Sequence, residues 1–384
     1  MKNVSRIIPC YAADTSGVCS ALYEFGGMVV VHDASGCNST YSTHDEPRWY
    51  DMKSKIYISA LTEMDAVMGN DTKLVEDVCK AAWEFPGELS LEFIALCGSP
   101  MPMMTGVDFD ALAEEIQRQS GIKTIPLHTN GMHSYLSGAG EAFLALAKRF
   151  CTERSEKVRL GVNILGATPL DFALNGSVES ITKWLADEGF TVLSCFGMGS
   201  DLSEISRAAA AEVNIVISYS GLAAAEYMKD RFGIPYVCGV PIGEKFAEKL
   251  VCDLKTAVVG GKCVYPCTRR LESPSELCII GESVFSGSLA AALSEDFGIS
   301  AQVICPLDTE DDLLAGGDLQ ISAEEDIENA LAEKRPKAVI ADPLYRYIFP
   351  KGTELYPLPH YAFSGRCFAK SIPNLINTKL KELL

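Results

Sequence analysis

Three of the 14 cysteines stand where a parallel sheet would gather its ligands. Cys97 ends an apolar run, Cys37 follows an apolar run that ends at His32, and Cys10 lies in the N-terminal segment. Ligands of open parallel sheets bind at the carboxyl ends of strands, and thiolates are the soft ligands that iron–sulfur clusters take. The residue types are thus compatible with a cluster site, although they do not specify one. The spacing is too long for a ferredoxin-type Cys-x₂-Cys-x₂-Cys run, so packed structural thiols are the alternative.

Glycines flank two of these sulfurs. Gly36 precedes Cys37, and Gly98 follows Cys97. A glycine removes side-chain bulk and lets a backbone N–H group point at a buried anion, as the sulfides of a cluster require. We therefore expect Gly36 and Gly98 to contribute to the same cofactor site.

Other side chains near these positions have two interpretations each. Cys19 is a packed thiol or an extra ligand, and the Cys263/Cys267 pair is a loop feature or a ligand pair without partner motifs. His32 and Asp33 border the Cys37 loop, where ordering of the loop is a simpler role than iron ligation. Most of the remaining cysteines suit a hydrophobic core.

The elements that must position these residues alternate along the chain. Apolar runs predict strands at 27–32, 91–97, 122–127, 158–165, 190–195, 213–219, 277–281, 301–305 and 338–341. Amphipathic runs predict helices at 71–85, 108–120, 137–154, 176–188, 201–211, 221–232, 284–297 and 323–334, and a closing helix from about 366. Near-continuous apolar strands between helices indicate parallel sheets covered on both faces.

The predicted fold class is α/β, with three consecutive Rossmann-like doubly wound domains. Breaks in the pattern place the cluster-binding domain at 1–155, the second at 156–265, and the third, with the C-terminal helix, at 266–384. The stretch 260–275 is rich in Gly, Pro and Ser, as linkers are.

Composition excludes several classes of function. The chain has 384 residues and a formal net charge of −18, from 51 acidic and 33 basic side chains. Nucleic-acid and anionic-membrane binding need a surplus of Lys and Arg. No run of 18 apolar residues occurs and the start lacks a long apolar stretch, so we expect a cytoplasmic protein.

The motif around Cys37 carries a resemblance to a known family. His32-Asp-Ala-Ser-Gly-Cys37 resembles the His-Gly-Pro-x-Gly-Cys segment of the nitrogenase component 1 family. That family includes the nitrogenase molybdenum–iron protein subunits, their cofactor-assembly scaffolds, and the dark-operative protochlorophyllide, chlorophyllide and nickel-sirohydrochlorin reductases. Cys10 matches the first ligand of the family, and Cys97-Gly-Ser-Pro, followed by Gly106-Val-Asp108, resembles the third.

The likeness continues in order along the chain. Further matching passages lie at 125–131, 162–166, 232–243, 279–282 and 360–369. The resemblance implies that Cys10, Cys37 and Cys97 hold one face of an iron–sulfur cluster, either [4Fe–4S] or a larger P-cluster-like one. That cluster would bridge to an identical or paralogous component 1 subunit.

The resemblance also implies a second partner, an ATP-hydrolysing iron protein that supplies electrons singly. The chain has no Gly-x₄-Gly-Lys-[Ser/Thr] phosphate loop, since the Gly260-Gly-Lys262-Cys stretch lacks both the earlier glycine and the hydroxyl. We therefore expect any ATP hydrolysis to occur on the partner chain.

One departure from the family narrows the substrate. The nitrogenase subunit anchors its molybdenum cofactor with a cysteine about sixteen positions before Gly-Ile-Pro, whereas this chain has Ile217-Ser-Tyr-Ser220 there. Dinitrogen is therefore not the expected substrate, and the short chain suits a small-molecule or tetrapyrrole substrate, or a second metallocofactor, among the three domains. Candidate proton donors are His44, His128, His133, His360, Asp45 and Asp108.

Three functions fit this pattern. The first is an iron–sulfur reductase subunit, the second a non-catalytic scaffold or carrier for metallocluster assembly, and the third a metal-free binding or regulatory module. Fold alone does not separate them.

Overall fold

Three parallel sheets follow one another along the chain. The structure, a computed structural model, describes residues 10, 12–34, 36, 39–84, 91–152, 156–271 and 275–380. Neighbouring strands within each sheet are parallel throughout, with helices between them. The predicted α/β class with consecutive parallel sheets is confirmed, while the domain boundaries stay a prediction.

The first sheet has the strand order β2-β1-β3-β4. Its elements are α1 Asp14–Leu22, β1 Met28–His32, β2 Ile56–Ile58, α2 Glu63–Met68, α3 Thr72–Trp83, β3 Ile94–Gly98, α4 Pro100–Thr105, α5 Phe109–Ser120, β4 Thr124–Leu127 and α6 Tyr135–Phe150. Alternate residues of β1 and β3 enter two separate cores, because successive side chains of a strand point to opposite faces. Val29 and Ala95 face α1 and α6, whereas Val30 and Leu96 face α3 and α5.

The second sheet has the order β6-β5-β7-β8. Its elements are β5 Gly161–Leu165, α7 Pro169–Phe172, α8 Ser177–Asp187, β6 Thr191–Phe196, α9 Leu202–Ser206, β7 Val213–Val216, α10 Leu222–Phe232, β8 Tyr236–Cys238 and α11 Lys245–Gly260. The helix predicted at 201–211 is shorter than expected, since α9 is followed by a separate 3₁₀ turn at Ala208–Ala210.

The third sheet has the order β11-β10-β9-β12-β13. Its elements are β9 Leu277–Ile280, α12 Ser283–Phe297, β10 Ala301–Cys305, β11 Leu319–Gln320, α13 Glu324–Lys334, β12 Ala338–Ala341, β13 Glu354–Pro357 and α14 Tyr361–Ser364.

The prediction of a closing helix from about residue 366 is wrong for the described residues, which end at residue 380. The described residues there form only short 3₁₀ turns, and the chain then runs back to the second sheet. Ile376 pairs with Ile242 in an antiparallel bridge, and the Asn175 side chain donates to the carbonyl oxygens of Ile372 and Pro373. Hydrogen bonds to the second domain satisfy the backbone polar groups of this segment without a helix.

Two glycines allow α1 to lie directly on α6. A Cβ added to Gly17 would stand 2.0 Å from the Tyr135 carbonyl oxygen, and one added to Gly138 would stand 1.9 Å from the Asp14 carbonyl oxygen. Any larger side chain would push the helices apart. This crossing fixes the N-terminal segment, and with it Cys10, against the start of α6.

None of the helices within the described ranges is both long and apolar enough to cross a membrane.

Candidate functional site

Cys10 lies where the N-terminal segment meets the third domain. Its Sγ is 3.4 Å from the Ala12 carbonyl oxygen and 3.7 Å from the Ala362 carbonyl oxygen, and the residue is half-buried. Burial, with the nearby charges of Asp171 and Asp308, raises the pKa of the Cys10 thiol to about 12. Cys10 is thus partly accessible and is surrounded by oxygen acceptors.

Cys97 lies inside strand β3 and not in the loop beyond it. Its side chain is fully buried in the core beneath α1, with Sγ 3.6 Å from the Val30 carbonyl oxygen. Cys19, on α1, is also buried, and burial together with the neighbouring Cys97 raises its pKa. These two cysteines therefore occupy the same part of the core.

The loop that carries Cys37 is described only in part. Cys37 itself lies outside the described residues, and Gly36 is exposed, with open space around the position of an added Cβ. The Gly98 N–H donates to Thr129 Oγ1 at 3.1 Å, and a Cβ at Gly98 would stand 2.7 Å from the Thr129 carbonyl oxygen. Gly98 therefore allows the end of β3 to lie close to the segment that carries Thr129.

His32 and Asp33 link neighbouring loops at the end of β1. His32 Nδ1 lies 2.8 Å from Ser59 Oγ, and burial lowers the pKa of the imidazole. The Ser99 hydroxyl donates to Asp33 Oδ1 at 2.8 Å, which joins the ends of β1 and β3. Both contacts support loop ordering as the role of these two residues.

Three of the four candidate proton-donating histidines lie at the surface or are partly exposed. His128 is exposed between Asp110 and Glu141, and its hydrogen bond to Asp110 raises its pKa. His44 is about 40% exposed beside Asp45. His133 is exposed and lines a cleft with other polar residues. Within the described residues, no hydrogen bond or ring contact is recorded between any two of these three imidazoles, although His128 contacts Glu141, which lines the same cleft as His133.

His360, in contrast, belongs to a buried polar group. Its Nε2 lies 3.3 Å from Asp171 Oδ1, and Tyr135 donates a short hydrogen bond to the same oxygen. The Ala362 N–H donates to His360 Nδ1 at 3.3 Å, so the ring proton of the neutral imidazole is on Nε2 and faces Asp171. Asp171 Oδ1 thus accepts a hydrogen bond from Tyr135 and lies within ion-pair distance of the His360 imidazole.

Glu282 adds a second carboxyl group on the other side. Its oxygens accept the N–H groups of Tyr219 at 2.9 Å, Val284 at 3.1 Å and Phe285 at 2.8 Å, and so cap α12. Burial, followed by the charge of Asp171, raises the pKa of Glu282 to about 7. Glu282 can therefore gain or lose a proton near neutrality.

A small cavity joins these groups, and we call it the carboxyl pocket. Asp171, Glu282 and His360 line it together with apolar side chains that include Phe172 and Phe285. Water-sized molecules can place their centres in about 30 Å³ of it. The pocket lies between the second and third domains, beside the segment that carries Cys10.

The sequence pattern points to His360 but not to Asp171, Glu282 or Tyr135. Each is a common residue type within an ordinary apolar or turn stretch, and their partners are distant in sequence. One local signal is present at Gly281-Glu282-Ser283. Glu282 follows the end of a predicted strand and precedes a predicted helix, which is the position of an acidic N-cap residue.

The Cys263/Cys267 pair lies beside a third cysteine, Cys238, whose pKa is raised by burial and then by Cys267 and Cys263. Cys267 is fully buried and Cys263 half-buried, and burial raises the pKa of Cys267 to about 12. Across the ranges that the structure describes, no three His, Cys, Asp or Glu side chains converge in a way that could hold a metal ion. The cluster site predicted on Cys10, Cys37 and Cys97 thus stays a prediction.

Comparison with protein families gives one match over most of the chain. Residues 14–263 match the family described as nitrogenase component 1 type oxidoreductase. The matched range includes Cys37 and Cys97 and begins just after Cys10.

The individual relatives are longer than this chain and share 22–30% sequence identity with it over the matched residues. The chain is 30% identical over 146 residues to one subunit of the light-independent protochlorophyllide reductase of Prosthecochloris aestuarii, covering 37% of this chain and 27% of the relative. It is 29% identical over 214 residues to the nitrogenase iron-molybdenum cofactor biosynthesis protein NifE of Clostridium pasteurianum, covering 54% and 45%. It is 22% identical over 196 residues to the nitrogenase molybdenum-iron protein alpha chain of Methanosarcina barkeri, covering 50% and 35%. The matches thus span less than half the length of each of these relatives.

A solved structure agrees in fold. Nitrogenase Cp1 at pH 5 superposes with a TM-score of 0.63 at 15% identity, covering 93% of this chain and 85% of that one.

Proposed function

The chain belongs to the nitrogenase component 1 type oxidoreductase family, and on that premise we propose that it is an iron–sulfur oxidoreductase subunit. It would receive low-potential electrons from an ATP-hydrolysing iron protein through an iron–sulfur cluster shared with a second component 1 subunit. It would then reduce a bound tetrapyrrole or another small molecule, and the substrate would not be dinitrogen.

The observation that carries this proposal is the neighbourhood of Cys10. The segment with this predicted ligand packs on the third domain at Ala362, two residues after His360. His360 in turn contacts Asp171, which lines the carboxyl pocket. A metal group held near Cys10 would therefore lie beside groups that can hold and move a proton.

The three predicted cysteine ligands differ in how well their positions suit an iron–sulfur cluster. Cys10 alone, of the three predicted ligands, has a described and partly accessible thiol. Cys97 is fully buried, so cluster binding requires the end of β3 to rearrange. A bound cluster would supply one-electron transfer, and this chain would supply thiolate ligands and protons.

The decisive experiment is turnover with the partner. The chain, purified anaerobically with its paired subunit, is supplied with iron protein, ATP and candidate tetrapyrroles, and two-electron reduced product is measured. Product that depends on ATP supports the reductase. Cluster-loaded protein that gives no product with any candidate, but passes its metal to an acceptor protein, contradicts it.

That second outcome defines the alternative function. The similarity to the NifE biosynthesis protein favours a scaffold or carrier for metallocluster assembly as the second candidate. Transfer of radiolabelled iron to an apo-acceptor would distinguish it from the reductase.

A further inference from the structure

Asp171 is buried with only one of its two carboxyl oxygens satisfied. Oδ1 accepts from Tyr135 and lies next to His360 Nε2, but Oδ2 has no hydrogen-bond partner within the described part of the chain. The side chain is only about 1% exposed. A buried carboxylate oxygen without a donor is costly, so Oδ2 calls for a donor that the described residues do not supply.

The charge around the pocket selects the kind of donor. Asp171 and Glu282 line it, and no lysine or arginine occurs among its described lining residues. The titratable groups that face Asp171 are Tyr135 on α6, His360 before α14, Glu282 before α12, and the more distant Cys10. Apart from the imidazole, none of these can carry a positive charge, so the pocket is negative and favours a cation.

Size and geometry limit the cation further. The room for molecular centres, about 30 Å³, suits roughly two water-sized groups. Within the described residues the carboxylates and His360 do not form a group that could hold a metal ion. An N–H donor needs only one correctly placed acceptor, and Asp171 Oδ2 is that acceptor.

We propose that the carboxyl pocket binds a ligand group that carries a protonated nitrogen, ammonium or amidinium, with its N–H donating to Asp171 Oδ2. Tyr135 and His360 are positioning residues that hold Oδ1, so that Oδ2 faces the ligand. Glu282 provides a second negative charge once it is ionised. This inference rests on the proposed function only in taking that ligand to be part of the substrate.

Three probes of nearly equal size and different charge test the proposal. Formamidinium, formamide and formate are titrated separately into the 384-residue chain at pH 8, and binding is followed by calorimetry and by amide chemical shifts. We expect millimolar binding of formamidinium, at least tenfold weaker binding of formamide, and no binding of formate. Equal binding of formamidinium and formamide, or no binding of formamidinium, would overturn the proposal.

Variants locate the binding site. Asp171→Asn is expected to weaken formamidinium binding at least tenfold, while Asp110→Asn, an exposed carboxylate, leaves it unchanged. Glu282→Gln is the second variant in case Asp171→Asn does not fold. It is expected to weaken binding severalfold at pH 8 and little at pH 6, where Glu282 is already largely protonated.

Unchanged formamidinium binding in a folded Asp171→Asn protein contradicts the assignment. If that variant does not fold, unchanged binding at pH 8 in Glu282→Gln contradicts it. Neither measurement needs an iron–sulfur cluster, so this inference and the reductase proposal fail separately. Iron and sulfide analysis of the same preparation reports on the reductase proposal.

Discussion

The Cys10 Sγ lies 3.7 Å from the carbonyl oxygen of Ala362, a residue 352 positions later in the chain. The backbone reinforces this contact, since the Ala12 N–H donates to the same carbonyl oxygen at 3.3 Å. The turn around Ala362 is capped by His360 Nδ1. The third domain therefore holds the N-terminal segment in place.

The cap at His360 should control access to Cys10. In iron-free protein, His360→Ala removes the acceptor for the Ala362 N–H, so we expect Cys10 to react severalfold faster with iodoacetamide. His360→Asn is the matched variant, because asparagine is an effective N-cap. Peptide mass spectrometry measures the rate at Cys10, and equal rates in all three proteins would show that the cap does not hold this segment.

The crossing of α1 and α6 should tolerate no side chain at Gly17. Gly17→Ala places a methyl group against the Tyr135 carbonyl oxygen, and we expect a loss of about 2–4 kcal/mol in the free energy of unfolding. Gly260→Ala is the control, since a Cβ there meets nothing within 4 Å. Urea denaturation compares the two, and similar stabilities would contradict the close crossing.

Arg48 should be essential for stability. Its buried guanidinium contacts Glu46 at 2.7 Å, Glu24 at 2.9 Å, and the carbonyl oxygens of Ser20 and Gly197. Arg48→Met leaves Glu46 buried without its partner, and we expect a loss of about 3–5 kcal/mol.

The exposed pair of Arg118 with Glu115 provides the comparison for Arg48. Arg118→Met should lower the free energy of unfolding far less than Arg48→Met, because solvent screens that pair. Thermal and urea unfolding measure both variants. Equal losses would mean that the buried network around Arg48 does not form.

Glu282 should make stability fall as the pH rises toward neutrality. Its pKa is about 7 in the folded protein against an ordinary 4.5, so the unfolded chain releases this proton first. Stability should therefore decrease between about pH 4.5 and pH 7 and level off above, by on the order of 2–3 kcal/mol.

The Glu282→Gln variant isolates this contribution. It should lack that part of the decline, whereas the exposed variant Glu276→Gln should retain it. Urea unfolding at pH 5 and pH 8 gives the difference for each protein. The same decline in Glu282→Gln as in the parent protein would show that Glu282 does not titrate in this range.

Much of the fold could be predicted because its strands are almost continuously apolar. Val29, Val30 and Val31 are buried on both faces of the first sheet, and such runs are typical of parallel strands. Short edge strands, such as β13, carry too few apolar residues for this signal. The C-terminal segment was wrongly predicted as a helix. Its bridge to Ile242 is a long-range contact, which the local sequence does not show.

The candidate site was less predictable, for a related reason. The side-chain direction of Cys97 depends on where β3 ends, and one more strand residue keeps its sulfur in the core. The carboxyl pocket depends on contacts between Tyr135, Asp171 and His360, which three separate elements contribute. The local sequence around each of these residues does not indicate that their side chains are in contact.

The most direct test of the proposed cluster is the content of iron and acid-labile sulfide in anaerobically purified protein. We predict iron and sulfide in nearly equal amounts, with an electron paramagnetic resonance signal after reduction. Cys10→Ser and Cys37→Ser should lose both, and Cys252→Ser, at an exposed cysteine, should retain them. Colourless, iron-free protein, or a cluster that survives Cys10→Ser and Cys37→Ser unchanged, would contradict the proposal.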